Sequence, residues 1–368
     1  MRRKIVFIAF FGAHYRYEIF KKIDENFDAS FYLGDVDVNN PDIKPFDYSL
    51  LNKCQTLHCR AIKPPFFFMQ GLSRALAEDA RDIVLFVSPY ALNVWPFILR
   101  AKLRGKRIHL WTIGYTGRES LPVRCAKFLF FRLADKIMVY ANHSRRIMVS
   151  KGIPEDKITV VYNSNAYGEQ LQLRGGLERL PIYGEHFGNN YPNLIFAGRL
   201  NPIKRLDMVL RAMRILADGG IKTNFTLIGD GRERGALAEL AQKLGLAQNV
   251  WFFGGCYDQK KMSNMFYNAD ICVSPGNVGL TSMLAMGYGC PVITHADANF
   301  QDPEFESVKP GLTGELFDRG DEASLAAKIA QWLASPKDKN AVAQNCFAEI
   351  DAHWNPSNQL KNIEKSLA

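Results

Sequence analysis

Residues 193–216 read NLIFAGRLNPIKRLDMVLRAMRIL. Residues 194–197 are apolar, Gly198 and Pro202 follow, and apolar residues recur at helical spacing from Leu206 onward. The stretch therefore predicts a buried strand, a loop and an amphipathic helix. Residues 269–294, ADICVSPGNVGLTSMLAMGYGCPVIT, repeat this order and add a second strand. Strands that alternate with helices in this way predict a parallel sheet with helices on both faces.

The alternation runs along most of the chain and is interrupted once, at residues 166–192, which are rich in Gly, Asn and Pro. We therefore predict two Rossmann-like, doubly wound α/β domains, at residues 1–165 and 193–350, joined by a linker at 166–192. Residues 351–368 form a separate last segment. The predicted strands before the linker are KIVFIAF, ASFYLG, DIVLFVS, RIHLWTI, KIMVYA and KITVVYN, and QGLSRALAEDA is among the predicted helices.

The composition is that of a globular protein, with 47% hydrophobic and 23% charged residues among 368. The net charge of +9 fits either an ordinary basic protein or one with an anionic partner. Seven cysteines without a C-x-x-C pair indicate free thiols in a reducing compartment and no zinc site. The apolar run at residues 5–11 is too short for a membrane span and lacks a signal cleavage site, so we expect a cytoplasmic protein.

A first candidate site follows the strand at residues 194–197. Gly198 allows a ligand to approach the backbone, and Arg199 and Lys204 are placed to face one anionic group. The alternative is a pair of solvated cations on a loop.

A second candidate site is the start of the helix near Leu280. The free N–H groups of Gly279, Leu280 and Thr281 form an anion site of the kind that holds phosphates. The alternative is an ordinary helix cap provided by Asn277 or Thr281.

Two further loops carry polar residues. One contains Asp297, Asp302, Glu304 and Glu306, which either select hydroxyl groups of a ligand or form a polar surface turn. The other, FFGAHYR, contains Gly12 and lacks the G-x-G-x-x-G dinucleotide fingerprint. His14 beside it is more often structural than catalytic in such a turn.

Residues 194–333 resemble the C-terminal domain of GT-B glycosyltransferases of the GT4 type, on the segments FAGRLNPIKRLDMVLRAMRIL, FTLIGDGRERGALAELAQKLGLAQNVWFFGG and NADICVSPGNVGLTSMLAMGYGCPVIT. The resemblance implies two Rossmann-like domains facing across a cleft, the second for a nucleotide diphosphate sugar and the first for the acceptor. It implies that a last helix, Pro356–Leu367, crosses back to the first domain. It also implies a retaining transfer without a metal or other cofactor, the nucleotide diphosphate sugar being a co-substrate.

The resemblance assigns roles to several residues. Arg199 and Lys204 fall on the R-x4-K pair that neutralises the diphosphate, where fixed cations stabilise the charge that develops on the leaving group. Gly279, Leu280 and Thr281 fall on the backbone that holds the phosphates, and Gly12 falls near the loop that closes over them.

The sequence departs from the family pattern at three positions. The two family glutamates, of which the first contacts the donor sugar and the second the ribose, fall on Gly276 and Leu284. The histidine that commonly follows the fourth strand of the first domain falls on Ile113. Asn277 and Glu306 are our candidates for the sugar contacts that the glutamates no longer provide.

The predicted function is the transfer of a sugar to a glycan or lipid-linked acceptor in surface polysaccharide synthesis. The alternatives are a nucleotide-sugar epimerase on the same fold and a catalytically silent partner of an active transferase. No nucleic-acid-binding motif occurs. A loop with Phe66, Phe67, Phe68 and Met69 beside basic helices suits binding to an anionic membrane. The alternative is that these apolar side chains belong to the hydrophobic core and that the cations are solvated. The cations are Arg100, Lys102, Arg104, Lys106, Arg107, Arg124, Lys127, Arg132, Arg145 and Arg146.

Overall fold

The structure is a computed structural model and describes residues 2–38, 40, 43–335 and 338–368. The chain divides into two compact units. The first comprises the residues up to Ala166 together with Asn355–Ala368, and the second comprises Tyr167–Trp354. Each unit is built around its own, mostly parallel sheet, which confirms the predicted pair of doubly wound α/β domains.

The first unit has a sheet whose strands, within the described residues, follow the order β4-β3-β2-β1-β5-β6-β7-β8. All neighbours pair in parallel except β3 and β4, which pair antiparallel. The strands are β1 Lys4–Ala9, β2 Asp28–Gly34, β3 Cys54–Lys63, β4 Phe66–Gln70, β5 Asp82–Phe86, β6 Arg107–Thr112, β7 Lys136–Val139 and β8 Ile158–Val160, and the first helices are α1 Tyr17–Asn26, α2 Val94–Leu103, α3 Leu121–Arg132 and α4 Asn142–Ser150.

The second unit has a parallel sheet in the order β11-β10-β9-β12-β13-β14. The order reverses between β9 and β12, and such a switch point is where α/β sheets place their ligands. The strands are β9 Asn193–Ala197, β10 Asn224–Ile228, β11 Val250–Gly254, β12 Ile271–Ser274, β13 Val292–His295 and β14 Gly314–Phe317, and the helices are α5 Tyr167–Arg174, α6 Ile182–Phe187, α7 Leu206–Asp218, α8 Arg234–Lys243, α9 Gln259–Asn268, α10 Leu280–Gly287, α11 Glu322–Ala334 and α12 Lys339–His353.

The last helix, α13 (Pro356–Leu367), belongs to the first unit. Its Gln359 is fully buried: the side-chain amide donates to the Tyr162 carbonyl at 2.7 Å, and its oxygen accepts from Ser164 Oγ at 2.6 Å. The helix also buries Leu360, Ile363 and Leu367 in the core on one face of the first sheet. Helix α13 is an integral part of the first unit, because its apolar side chains are buried there and Gln359 forms two hydrogen bonds with that unit.

The segment predicted as a linker contains two short helices that pack on the second unit. Arg174 of α5 donates to the Gly287 carbonyl at 3.0 Å, and Tyr183 of α6 donates to the Met265 carbonyl. The structure thus differs from a linker over 166–192, because a few well-placed side chains anchor these helices even though the segment lacks a sustained apolar period.

The expectation of a loop at residues 66–69 is wrong. These residues form β4, an edge strand of alternating exposure in which Phe67 and Met69 are buried while Phe66 and Phe68 are about two-fifths exposed. β3 was not predicted, because its outward residues are polar and charged. Residues 72–77, predicted to be helical, form only a short 3-10 turn that begins after Gly71 in a left-handed conformation.

Candidate donor site

The loop after β9 presents Arg199 between two residues that are fixed by backbone hydrogen bonds. Gly198 N donates to the Ile228 carbonyl and Leu200 N donates to the Asp230 carbonyl, both at 2.9 Å. Leu200 is fully buried, so the intervening Arg199 lies on the exposed side of the loop. The backbone at residue 198 has a φ of +152°, a value that residues with a side chain rarely adopt. A glycine at this position therefore allows the turn.

Lys204 reaches from the same loop to the residues that precede α10. Its Nζ donates to the Asn277 carbonyl at 2.7 Å. Burial lowers the pKa of Lys204, while the negative charges of Asp302 and Glu304 raise it. The ammonium group therefore lies in a poorly hydrated place where an anion interacts with it more strongly than it would in bulk water.

The first turn of α10 provides backbone donors beside this lysine. Gly279 is the N-cap residue, and no side chain caps the helix. Within the described residues, we find no hydrogen bond for the amides of Gly279, Leu280 and Thr281. The alternative of a cap by Asn277 or Thr281 is wrong, because Thr281 Oγ1 donates instead to the Ala197 carbonyl at 3.3 Å. Free amides at a helix N-terminus favour an anion.

Gly276 has no room for a side chain. A Cβ atom at this position would lie 1.9 Å from the Ile203 carbonyl oxygen and 2.8 Å from Lys204 Cα. The Gly276 amide also donates to the Lys204 carbonyl at 3.0 Å. The backbone that positions Lys204 therefore occupies the volume into which a side chain at residue 276 would extend.

The acidic loop after β13 contacts the same region through Gln301, Asp302 and Glu304. Asn277 Nδ2 donates to Asp302 Oδ2 at 2.6 Å, and Val278 N donates to Gln301 Oε1 at 2.9 Å. Glu304 is buried, and its carbonyl accepts from Ser282 Oγ at 3.2 Å. The structure therefore brings Asp302 and Glu304 to Lys204 and α10.

Glu306 and Asp297 of this loop make contacts with other residues. Glu306 is half-buried, and its carbonyl accepts from Lys309 Nζ at 2.6 Å. Asp297 accepts from Asn299 N and forms an ion pair with Arg319 at 3.8 Å. The sequence pointed to Glu306 among the four acids of this loop, whereas the structure buries Glu304. The two glutamates lie two residues apart on one 3-10 turn, so their side chains point in different directions.

Gly12 lies at the carboxyl end of β1 in the first unit. Its amide donates to Tyr48 Oη at 2.9 Å, and a Cβ atom here would lie within 2.8 Å of the rings of Tyr48 and Phe46. Packing within the first unit thus explains why residue 12 is a glycine. Ile113 follows β6 and is half exposed, and His14 is exposed.

Among the described residues there is no cluster of three or more His, Cys, Asp or Glu side chains suited to a metal ion. In the same part of the chain, we find no helix with the length and apolarity that a bilayer span requires.

Residues 185–347 match the family model of the glycosyl transferases group 1. The matched segment includes both loops at the sheet switch point and the acidic loop. The second unit therefore carries a glycosyl transferases group 1 domain, and the two α/β units have the GT-B fold.

The relatives are distant in sequence. An uncharacterized 41.2 kDa protein in the cps region of Klebsiella pneumoniae is 29% identical over 71% of this chain and 67% of its own length. A D-inositol 3-phosphate glycosyltransferase of Thermomonospora curvata is 29% identical over 57% of this chain, and the alignment spans about half, 51%, of that relative.

Among solved structures, the apo form of the lipopolysaccharide outer core galactosyltransferase WaaB superposes with a TM-score of 0.73 at 15% identity, with 99% of each chain covered. Anabaena HepE in complex with UDP-glucose superposes with a TM-score of 0.70 at 17% identity and the same coverage. At identities this low, the superpositions show a shared fold and nothing further.

Proposed function

We propose that the protein transfers a sugar, with retention of configuration, from a nucleotide diphosphate sugar to a glycan or lipid-linked acceptor in surface polysaccharide synthesis. One observation carries the proposal: the Lys204 ammonium lies beside the first turn of α10, at the switch point of a group 1 domain. A lysine and three free amides suit a diphosphate better than a neutral ligand. The HepE complexes with UDP and UDP-glucose support a donor of this class.

In this proposal Arg199, Lys204 and the α10 amides hold the diphosphate and stabilise the negative charge that grows on it as the glycosidic bond breaks. Gly198 keeps the backbone open to the phosphates. No general base is assigned, because in front-side transfer the leaving phosphate accepts the proton of the acceptor hydroxyl. The reaction in this form requires no metal ion.

The placement in surface polysaccharide synthesis rests on two relatives. One is a protein in the cps region of Klebsiella pneumoniae, and the other a galactosyltransferase of the lipopolysaccharide outer core. The cps region and the lipopolysaccharide outer core both point to cell-surface glycans, and the proposal extends that setting to this chain.

We further propose that the protein works at an anionic membrane surface, through α2 and α3. The two helices pack together through Trp95 and Phe130, whose ring centroids are 5.1 Å apart. Their outer faces expose four leucines and four arginines that form no ion pair among the described residues: Leu99, Leu103, Leu121 and Leu129, with Arg100, Arg104, Arg124 and Arg132. Exposed leucines interleaved with arginines are typical of helices that lie at a lipid interface.

Five of the six other basic residues of the predicted patch are less available. Lys102, Lys127, Arg107 and Arg145 form ion pairs with Asp135, Glu119, Asp82 and Glu155, and Lys106 donates to two backbone carbonyls. The membrane proposal therefore rests on the four unpaired arginines and their neighbouring leucines.

A catalytically silent partner protein is the second candidate, and Gly276 is the observation that favours it. A side chain at this position has no space, so the family carboxylate at residue 276 is excluded. Lys204 argues against this candidate, because a scaffold has no need for a desolvated cation beside free helix amides.

Nucleotide binding separates these candidates. The full-length protein is heated in the presence of UDP, GDP, dTDP or CMP and of their common sugars, and the melting temperature is recorded. A ligand at a hundred times its dissociation constant adds about 2.7 kcal/mol of stability. A shift with one nucleotide supports a working donor site and names the base, whereas no shift with any of them contradicts the proposal. An epimerase would convert the donor sugar without an acceptor, which product analysis of the same samples detects.

A further inference from the structure

Carboxylates are the common protein acceptors for sugar hydroxyls, because an ionised acceptor makes a shorter and stronger hydrogen bond than a neutral one. In this chain the loop between β12 and α10 supplies none. Gly276 is sealed by the backbone of Ile203 and Lys204, and the loop residues that follow it are Asn277 and Val278. A carboxylate at the sugar end of the donor site must therefore come from another element.

The 3-10 turn after β13 brings two carboxylates to this place. Asp302 Oδ2 lies 3.0 Å from the position of a Cβ atom on Gly279, the N-cap of α10. Glu304 is 4% exposed, and its backbone is held by Ser282 Oγ and Ser307 Oγ, which donate to its carbonyl at 3.2 and 2.7 Å. Both acids are close enough to Lys204 to act on its charge. The turn thus fixes two acids beside the cation of the diphosphate clamp.

The side-chain oxygen of Asn277 adds an acceptor that a ligand could satisfy. Its Nδ2 donates to Asp302, which fixes the orientation of the amide because a carboxylate only accepts. Its Oδ1 is then a buried acceptor without a donor among the described residues. A buried acceptor left in this state is costly, and a hydroxyl group of a ligand is a donor that would satisfy it.

The chemistry of the group excludes a second phosphate and suits a polyol. Two carboxylates repel a phosphate, while hydroxyl groups both donate to carboxylates and accept from Asn277 Nδ2. Asp302 lies at the N-cap of α10, beside the amides that suit the phosphates, and Asp302 and Glu304 both act on the charge of Lys204. Groups suited to a diphosphate therefore adjoin groups suited to hydroxyls, as a diphosphate adjoins the sugar in a nucleotide diphosphate sugar.

We infer that Asp302 and Glu304, with Asn277, bind the hydroxyl groups of the donor sugar and replace the carboxylate that Gly276 excludes. The inference rests on the proposed donor site and adds the residues that determine which sugar is accepted. It also replaces Glu306 with Glu304 as the carboxylate of this loop that contacts the sugar.

The test compares binding of a nucleotide with binding of its sugar by calorimetry. Dissociation constants for UDP and UDP-glucose, and for GDP and GDP-mannose, are measured for the wild type, Asp302→Asn and Glu304→Gln. Both variants should bind the free nucleotide as well as the wild type does or more tightly, because a negative charge near the phosphates is removed. The preference for the nucleotide sugar over the nucleotide should fall about tenfold or more for each lost charged hydrogen bond.

The matched control is Asp297→Asn, a change of the same type in the same loop at an acid paired with Arg319. It should leave both constants unchanged. Melting temperatures identify a variant that fails to fold. If Asp302→Asn fails, Asp302→Glu replaces it, because the glutamate keeps the negative charge on a side chain one methylene longer. The expected result is then a change in which nucleotide sugar is preferred. Unchanged sugar preference in both variants overturns the inference while nucleotide binding persists. Absence of any nucleotide binding by the wild type overturns the proposed function as well.

Discussion

Arg199 and Lys204 carry the same charge in different surroundings. Arg199 is exposed on a loop whose flanking residues are fixed, whereas Lys204 is half-buried and bonded to the Asn277 carbonyl. An exposed guanidinium is screened by water until a ligand arrives, while the lysine already lies where water is scarce. We expect the lysine to contribute to the arrangement of the loop in addition to charge, and the arginine to contribute mainly charge.

Removing either charge should slow transfer. Arg199→Ala and Lys204→Met are each expected to lower kcat/KM by about tens- to thousands-fold, because stabilisation of the leaving diphosphate is lost. Steady-state kinetics with the donor identified by thermal shift provides the measurement. Arg211→Ala, an exposed α7 arginine paired with Glu322, serves as the control and should retain activity. Full turnover in both site variants would contradict the diphosphate clamp.

Gly276→Ala should destabilise the second unit, because the added methyl group overlaps the Ile203 carbonyl oxygen. We expect a loss of about 1–3 kcal/mol or more from overpacking, measured by thermal unfolding. Gly235→Ala is the matched control: Gly235 is exposed in α8 with no atom near its virtual Cβ, so the change should stabilise by about 0.5–1 kcal/mol. If both variants melt like the wild type, residue 276 has space for a side chain and the argument built on its exclusion is lost.

At the scale of single elements, the sequence predicts most strands and helices because their apolar periods are long and uninterrupted. The three strands predicted at residues 194–197 and within 269–294 are found as β9, β12 and β13. The hairpin of β3 and β4 escapes prediction because β4 has two inward residues and β3 is polar along most of its length. Helices α5 and α6 escape for a related reason, since individual hydrogen bonds anchor them in place of an apolar stripe.

In the candidate donor site too, the sequence predicts the residues of local motifs and misses those that the fold brings together. Arg199, Lys204 and the α10 amides lie on loops whose motifs are local, so the sequence finds them. Asp302 and Glu304 meet Lys204 only because β12 and β13 are adjacent in the sheet, a contact between residues about a hundred positions apart. The exclusion at Gly276 is a matter of backbone packing, which no residue pattern encodes.

The end of β13 provides a prediction about pH. His295 is 2% exposed, and burial together with the nearby charge of Arg319 lowers its pKa to about 4, while Asp297 opposes the shift. As the pH falls, the His295 imidazole therefore takes up a proton in the unfolded chain before it does so in the folded protein. Stability should fall as the pH drops from about 6.5 to about 4, with about 3 kcal/mol from this residue.

The variant His295→Gln cannot take up that proton. In urea unfolding at several pH values, its stability should change less between pH values of about 6.5 and 4 than that of the wild type. An equal slope for the two proteins would show that His295 does not stay neutral in the fold.

At the scale of the whole molecule, the exposed apolar residues of α2 and α3 make membrane binding testable. The wild type should sediment with phosphatidylglycerol vesicles and not with phosphatidylcholine vesicles, and salt should weaken the binding. Each arginine near the lipid surface contributes about 1 kcal/mol, so replacement of Arg100 and Arg104 by Gln should reduce binding by roughly tenfold or more.

A second pair of variants separates apolar insertion from charge. Leu103→Gln with Leu129→Gln should weaken vesicle binding, whereas Leu171→Gln, a half-exposed leucine of α5, should not. Binding of anionic vesicles that is indifferent to all of these changes would place the membrane surface elsewhere. Failure of the wild type to bind them at all would contradict the membrane proposal and leave the transferase proposal intact.

The position of α13 affects the order in which the protein can fold during synthesis. The ribosome makes α1 to α4 and their sheet first, then the whole of the second unit, and only afterwards the helix that buries Gln359, Leu360 and Ile363 against the first sheet. The first unit therefore emerges early with an uncovered apolar face, which stays open while nearly two hundred further residues are translated. The second unit, contiguous in the chain, has all of its parts before the first unit has its own.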